Sequence, residues 1–203
     1  MSEFCKTYNH PFGVKEYSYS IFSQEEIDDI VDHLETYYFS KPEMCDPERP
    51  GTQTIQSLFD DLKFQKISLS FLESVRDYTN QPEIVSMIDL RVNYKYNSWC
   101  YVNWLSEDNN VPGVWHTHNE VSYPQSISGI FYLKLPESPG GETKFHVGGN
   151  LFELPSNEWS WFIFPAVYNH CPGDVISSDK RYVISADLWF YPDKNLPYLL
   201  NFL

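Results

Sequence analysis

From about residue 84 onward the sequence consists of short segments rich in β-branched and aromatic residues, and this pattern constrains the fold most. Clusters of Gly, Pro, Asn and Asp separate the segments, as turns separate the strands of an antiparallel sheet. The pattern predicts an antiparallel sandwich or barrel such as a jelly roll. The segments are IDLRVNYKYNSWCYVNWL, SISGIFYLKLP, ETKFHVG, EWSWFIFPAV and RYVISADLWFYP.

The residues before this region predict helices. Ser23 and Glu26 form a capping box, and apolar residues follow at the three- to four-residue spacing of one buried helical face. The segment KISLSFLESVRDYTNQP predicts a second helix that ends before its proline. We therefore expect one α+β domain, mainly β, over residues 1–203. A helical part over 1–83 would pack on one sheet of a double-stranded β-helix (jelly-roll) core over 84–203.

The charge balance argues against several partners. The chain has 28 acidic and 14 basic residues, a formal net charge of −14, whereas proteins that bind nucleic-acid backbone carry a basic stripe. Anionic membrane surfaces are disfavoured for the same reason, and no apolar run reaches bilayer length. We expect no nucleic acid and no membrane partner. Four cysteines without CxxC spacing, and an N-terminus unlike a secretory signal, predict a cytoplasmic protein.

Two histidines lie on either side of one threonine in VWHTHNEVSY, at the end of a candidate strand. Residues i and i+2 of a strand share a face, so His116 and His118 can both point inward, and Glu120 continues the register. His170 follows the apolar segment FIFPAV. Two neutral imidazoles and one carboxylate are the ligand set of non-haem Fe(II) oxygenases. An HxH pair alone is weak evidence of a metal, and a single histidine such as His170 is more often a hydrogen-bonded structural residue.

A single cation opens the apolar segment RYVISADLWF. An unpaired buried charge is costly, so Arg181 requires an anion. Arginine binds a carboxylate through two parallel hydrogen bonds, and a dicarboxylic co-substrate would satisfy it. The alternative is an ordinary ion pair with Asp174 or Asp187.

Taken together, the stretch from about Trp99 to Tyr191 resembles the double-stranded β-helix core of the 2-oxoglutarate, Fe(II)-dependent oxygenases. It is most similar to the prolyl-hydroxylase-like branch. The matching segments, in order, are HTHNE, SGIFYLKLPESPGGETKF, WFIFPAVYNHCPG and RYVISADLWF, which span under half of the chain. The resemblance implies a dioxygenase that hydroxylates its substrate with Fe(II), 2-oxoglutarate and O₂.

The resemblance also implies roles for individual residues. His116 would be the first iron ligand, His170 the distal ligand, and Arg181 the clamp for the far carboxylate of 2-oxoglutarate. The family usually has HxD or HxE, which leaves the second ligand open. His116 with His118 or Glu120, or His118 with Glu120, would complete the set.

Further residues are expected around the co-substrate. Tyr132 matches a tyrosine that helps to hold the far carboxylate in prolyl hydroxylases. Ser185, on the same strand face as Arg181, would add a hydrogen bond, and Asn103 is a weaker candidate for co-substrate contact.

The substrate is expected to be a protein or peptide side chain, or a neutral or cationic small molecule. Two rival functions remain open at this stage. One is a cupin-like metal-binding enzyme that does not use 2-oxoglutarate, and the other is a non-catalytic β-sandwich interaction module. Dependence on iron and on 2-oxoglutarate distinguishes the three.

Overall fold

In the computed structural model of the protein, the described residues are 4–49, 51–80, 94–105, 113–118, 126–137 and 140–190. Within these ranges, two α-helices and nine strands form the fold. The helices are α1 (Gln24–His33), continued by a π-helical turn (Leu34–Phe39), and α2 (Gln65–Thr79). The strands are β1 (Cys5–Asn9), β2 (Lys15–Tyr19), β3 (Tyr94–Asn103), β4 (Ser126–Lys134), β5 (Thr143–Val147), β6 (Asn150–Glu153), β7 (Ser160–Pro165), β8 (Asn169–Pro172) and β9 (Arg181–Phe190).

The strands form two antiparallel sheets. The larger sheet has the order β1-β2-β7-β4-β9-β3, and the smaller has the order β6-β5-β8. Short 3₁₀ turns complete the described elements, at Pro11–Gly13, Pro42–Met44, Leu58–Asp60 and Leu62–Phe64. The predicted α+β, mainly β class is confirmed.

The larger sheet buries both of its faces, and its strands alternate between them with the two-residue period of a β-strand. On the face that we call the outer face, Trp161 packs against Phe131 and against Phe71 of α2. On the opposite, inner face, Phe162 packs in a second core that includes Phe145 of the smaller sheet. Each face therefore has its own apolar core.

The two helices form as the sequence predicts. The Ser23 hydroxyl accepts from the Glu26 amide, and the Glu26 carboxylate accepts from the Ser23 amide, so the capping box is present. Helix α2 ends where Asn80 adopts a left-handed conformation, with φ at 45°. Both helices contribute apolar residues to the core on the outer face, which confirms their expected packing on one sheet. No helix in the described ranges has the length and apolar character needed to cross a membrane.

The sequence reading of residues 1–83 as helical misses two strands. Strands β1 and β2 pair with each other, and β2 continues the larger sheet, where Tyr17 lies opposite Trp161 of β7. Each of these strands has only five residues and mixes charged with aromatic side chains, which is a weak pattern. Strands β6 and β8 were also missed, because four residues are too few to show an alternating pattern. The predicted boundary between residues 83 and 84 lies outside the described residues.

The described residues of a loop, 45–49 and 51–54, cover the edge strand β3. The Thr54 amide donates to the Cys100 carbonyl (3.0 Å), and the Val102 amide donates to the Thr52 carbonyl (2.7 Å). Satisfying the free groups of an edge strand prevents pairing with other chains. The same contacts fix this loop beside the inner face.

Candidate metal centre

Three histidines converge at one edge of the smaller sheet. His116 and His170 exchange both backbone hydrogen bonds, at 2.9 and 3.0 Å, so the segment with His116 lies beside β8. The His118 amide donates to the Ala166 carbonyl at 3.0 Å. One ligand atom from each of the three side chains lies within 4.8 Å of the others. The group is therefore able to hold a metal ion.

Two of the rings are held by backbone carbonyls. Nδ1 of His116 lies 2.7 Å from the Val114 carbonyl oxygen, and Nδ1 of His170 lies 3.0 Å from that of Tyr168. Because a carbonyl oxygen only accepts, each Nδ1 must carry the proton. The lone pair of each neutral ring is therefore on Nε2, the atom left for a metal.

The third ring is held by a buried carboxylate. Nδ1 of His118 lies 2.8 Å from Oδ1 of Asp187, and the Ser128 hydroxyl donates to the same oxygen at 2.6 Å. Asp187, only 2% exposed, lies opposite Ser128 in the pairing of β9 with β4. A carboxylate that accepts from a ring N–H fixes the ring orientation and raises its basicity as a ligand.

Burial keeps two of the imidazoles neutral. It lowers the pKa of His170 well below the ordinary value, and the charges of the other two histidines add to this effect. Burial also lowers the pKa of His116, against the opposing hydrogen bond to Val114. Only neutral imidazole binds a metal, so both shifts favour the ligand form.

A cleft opens beside His116 and His170, between the smaller sheet and the inner face of the larger sheet. The other described residues that line it are Arg49, Gln53, Trp99, Tyr101, Val114, Ile130, Thr143, Pro172, Arg181, Val183 and Ser185.

Arg181 lies deep in this cleft and is 1% exposed. Its Nη1 donates to Oδ1 of Asn103 at 3.3 Å, and its guanidinium carbon lies 5.0 Å from the centre of the Tyr132 ring. Its Nε has no hydrogen-bond partner within the described residues, and no described carboxylate forms an ion pair with it. The ion pairs considered with Asp174 or Asp187 are therefore not formed. A buried cation without a counter-charge favours an anionic ligand.

The other residues expected near the co-substrate lie around this arginine. Ser185 lines the same cleft, four residues after Arg181 and on the same face of β9. The Tyr132 hydroxyl is hydrogen-bonded to the Thr143 hydroxyl (2.8 Å) and accepts from its amide (3.2 Å). Asn103 contacts the guanidinium itself. Tyr132 and Asn103 thus position Arg181 in this structure.

Sequence reasoning missed two features of the site. Asp187 was considered only as a partner for Arg181, although its even spacing from Arg181 on β9 places both on the inner face. Arg49, in the loop that covers β3, carried no recognisable signal. Glu120, a candidate metal ligand, lies outside the described residues.

No protein-family model matches this chain, and no curated protein matches its sequence. Solved structures do match its fold. HygX from Streptomyces hygroscopicus, with nickel and 2-oxoglutarate bound, is 13% identical with a TM-score of 0.62, over 87% of this chain and 82% of that chain. A Pseudomonas putida prolyl-4-hydroxylase is 12% identical with a TM-score of 0.56, over 89% and 93%.

The viral collagen prolyl hydroxylase of Paramecium Bursaria Chlorella virus-1 is 13% identical with a TM-score of 0.60, over 94% of this chain and 99% of that chain. The chain therefore has the fold of the 2-oxoglutarate, Fe(II)-dependent oxygenases. The predicted resemblance in fold is confirmed.

Proposed function

We propose that this protein is an Fe(II)- and 2-oxoglutarate-dependent dioxygenase that hydroxylates a small molecule or a protein or peptide side chain. One observation carries the proposal. Three imidazoles converge, with one ligand atom of each within 4.8 Å of the others, beside a buried guanidinium that has no counter-charge among the described residues.

The donor set fits iron. His116, His118 and His170 would hold the metal through Nε2, and imidazole is a good ligand for Fe(II). The family's HxD or HxE pattern places a carboxylate on the metal, whereas here Asp187 lies one hydrogen bond behind His118. Its negative charge would partly compensate the greater positive charge of an all-imidazole centre.

The deep end of the cleft fits the co-substrate. Arg181 would bind the far carboxylate of 2-oxoglutarate through two charge-assisted hydrogen bonds. Asn103 and the Tyr132 ring hold the guanidinium in place. Ser185 lines the same wall and would donate its hydroxyl proton to the co-substrate.

Bound iron would couple the decarboxylation of 2-oxoglutarate by O₂, giving succinate and CO₂, to insertion of one oxygen atom into a substrate C–H bond. The residues of this chain would bind and orient the metal and 2-oxoglutarate, and would shield them from water. Trp99, Ile130 and Val183 line the cleft with apolar surface that limits the access of water. The Nδ1 hydrogen bonds keep the ring protons away from the cleft.

The test is an anaerobic Fe(II) titration with and without 2-oxoglutarate, which follows the weak visible charge-transfer band of the chelate. We expect a band that needs both components. It should be absent in His170→Ala and weakened in Arg181→Ala. His146→Ala is the matched control, because His146 is an exposed histidine outside the cleft.

Two outcomes would contradict the proposal. Iron binding that is indifferent to 2-oxoglutarate would instead support the cupin-like enzyme. Absence of iron binding in the wild type would support the non-catalytic module.

A further inference from the structure

The charge of the cleft is opposite to the charge of the chain. The protein carries a formal charge of −14. Nevertheless, the described residues that line the cleft include two arginines, Arg49 and Arg181, and no carboxylate. Fields inside a cleft with low-dielectric walls are set by the nearby charges more than by the net charge. A ligand inside the cleft therefore meets positive charge.

Arg49 is held in place by its own loop. Its carbonyl accepts from the amides of Thr52 (3.1 Å) and Gln53 (3.3 Å), and the Asp46 amide donates to the Gln53 carbonyl at 2.8 Å. The side chain is fixed as well, because its Nη1 donates to Oε1 of Gln53 at 3.1 Å. A bridge between Gln53 and Tyr101 joins this loop to β3. The guanidinium is thus presented at the cleft by a fixed loop.

Within the described ranges no carboxylate forms an ion pair with Arg49, although acidic residues outnumber basic ones by two to one. Its half-buried guanidinium has the neutral Gln53 amide as its side-chain hydrogen-bond partner among the described residues. A partly desolvated guanidinium of this kind gains more free energy from binding an anion than a fully exposed guanidinium does.

The two arginines occupy different depths. Arg181 is 1% exposed, whereas Arg49 is half-buried and lines the cleft together with Val114, which is 53% exposed. Tyr101 lines the cleft as well. Burial raises the pKa of its phenol, and the charges of both Arg49 and Arg181 oppose that rise. Arg49 is therefore at the open side of the cleft, where a substrate would enter.

We propose that Arg49 binds an anionic group of the substrate, a carboxylate or a phosphate, so that this enzyme acts on small anionic molecules. The inference rests on the proposed oxygenase function, in which Arg181 is already assigned to 2-oxoglutarate. It replaces the expectation of a neutral or cationic small molecule, which was drawn from net charge alone. The guanidinium fork can donate two parallel hydrogen bonds to two oxygens of either a carboxylate or a phosphate, so the test decides which of the two anionic groups the substrate carries.

The experiment uses the full chain loaded with Zn²⁺ and saturated with N-oxalylglycine, an unreactive analogue of 2-oxoglutarate. Calorimetric titrations then compare three probes with six carbon atoms each: hexanoate, hexyl phosphate and hexanamide. We expect an anion to bind the wild type about tenfold tighter than the amide, or more, as a charge-assisted hydrogen bond provides. The anion that binds more tightly, the carboxylate or the phosphate, identifies the anionic group of the substrate.

Four variants make the test specific. Arg49→Gln should abolish the preference for the anion, and Arg49→Lys should restore part of it. Arg76→Gln, an equal change of charge on an exposed face of α2, should keep the full preference. Arg181→Gln should lose N-oxalylglycine, whereas Arg49→Gln should bind it within about twofold of the wild type.

Equal binding of hexanamide and both anions to the wild type would overturn the inference, as would a preference that survives in Arg49→Gln. Equal loss of N-oxalylglycine in Arg49→Gln and Arg181→Gln would assign Arg49 to the co-substrate instead. A different result would be a wild type that binds neither Zn²⁺ nor N-oxalylglycine. That result would overturn the proposed function and this inference together.

Discussion

The outer and inner faces of the larger sheet use the same strands for different purposes. On β9, Ile184 and Leu188 belong to the core under the helices, whereas Arg181 and Asp187 belong to the inner face. The two-residue period of a strand makes this division possible, since neighbouring residues never share a face. Different side chains of one strand can therefore contribute to the apolar core and to the candidate site.

The two faces also differ in what burial requires of them. On the outer face, Phe71 lies 4.9 Å from the Trp161 ring centre, and its side chain needs only close packing. On the inner face, each buried polar group needs a partner, as Asp187 has in His118 and Ser128. Substitutions on the outer face should therefore change stability, and those on the inner face should change ligand binding.

The largest expected effect belongs to the outer face. Phe71→Ala removes a fully buried ring from α2, and we expect a loss of about 3–5 kcal/mol in the free energy of unfolding. Metal affinity of the folded protein should not change. Leu69→Ala, at a half-exposed position of the same helix, should cost far less. Denaturant unfolding and a metal titration measure the two quantities, and a large loss of metal affinity in Phe71→Ala would contradict the division of roles.

The next effect belongs to the inner face. Asp187→Asn removes the charge that holds His118, and we expect metal affinity to fall about 10- to 100-fold. Competition with a chelating dye measures it, with Ni²⁺ as the metal. Asp32→Asn makes the same change of charge at an exposed position of α1 and should have no effect. Equal affinities of wild type and Asp187→Asn would show that this carboxylate does not support the centre.

A smaller effect is expected at Gly141, which has φ at +81° and lies against Arg181. A Cβ at this position would lie 2.6 Å from Cδ of the arginine, so Gly141→Ala must displace the arginine side chain. We expect binding of 2-oxoglutarate to the metal-loaded protein to weaken about tenfold. Gly148→Ala is the control, since Gly148 also has a positive φ (+57°) but no atom within 4 Å of the added Cβ. Equal 2-oxoglutarate affinities in the two variants would contradict the role of Gly141.

The outer face was largely predictable from sequence, because its signals are local. The capping box of α1 and the apolar periodicity of α1 and α2 lie within single segments. The strands rich in aromatic residues are likewise recognisable from their own composition. Strands β1 and β2 were not predictable, because β2 depends on pairing with β7, which is far away in the chain.

The inner face was only partly predictable, because its contacts are long-range. The individual residues His116, His170 and Arg181 were found from residue type and order. The hydrogen bond from His118 to Asp187 joins residues 69 positions apart, and only the folded sheet brings them together. The approach of Arg49 to the cleft likewise depends on how its loop packs on β3.

The most direct test of the account is X-ray absorption spectroscopy at the iron edge of the anaerobic Fe(II)-loaded protein, which counts imidazole ligands. We expect three imidazoles in the wild type, two in His118→Ala, and three in Glu120→Gln. Two imidazoles in the wild type, unchanged in His118→Ala and accompanied by a carboxylate that is lost in Glu120→Gln, would contradict the all-histidine centre and identify Glu120 as the second ligand.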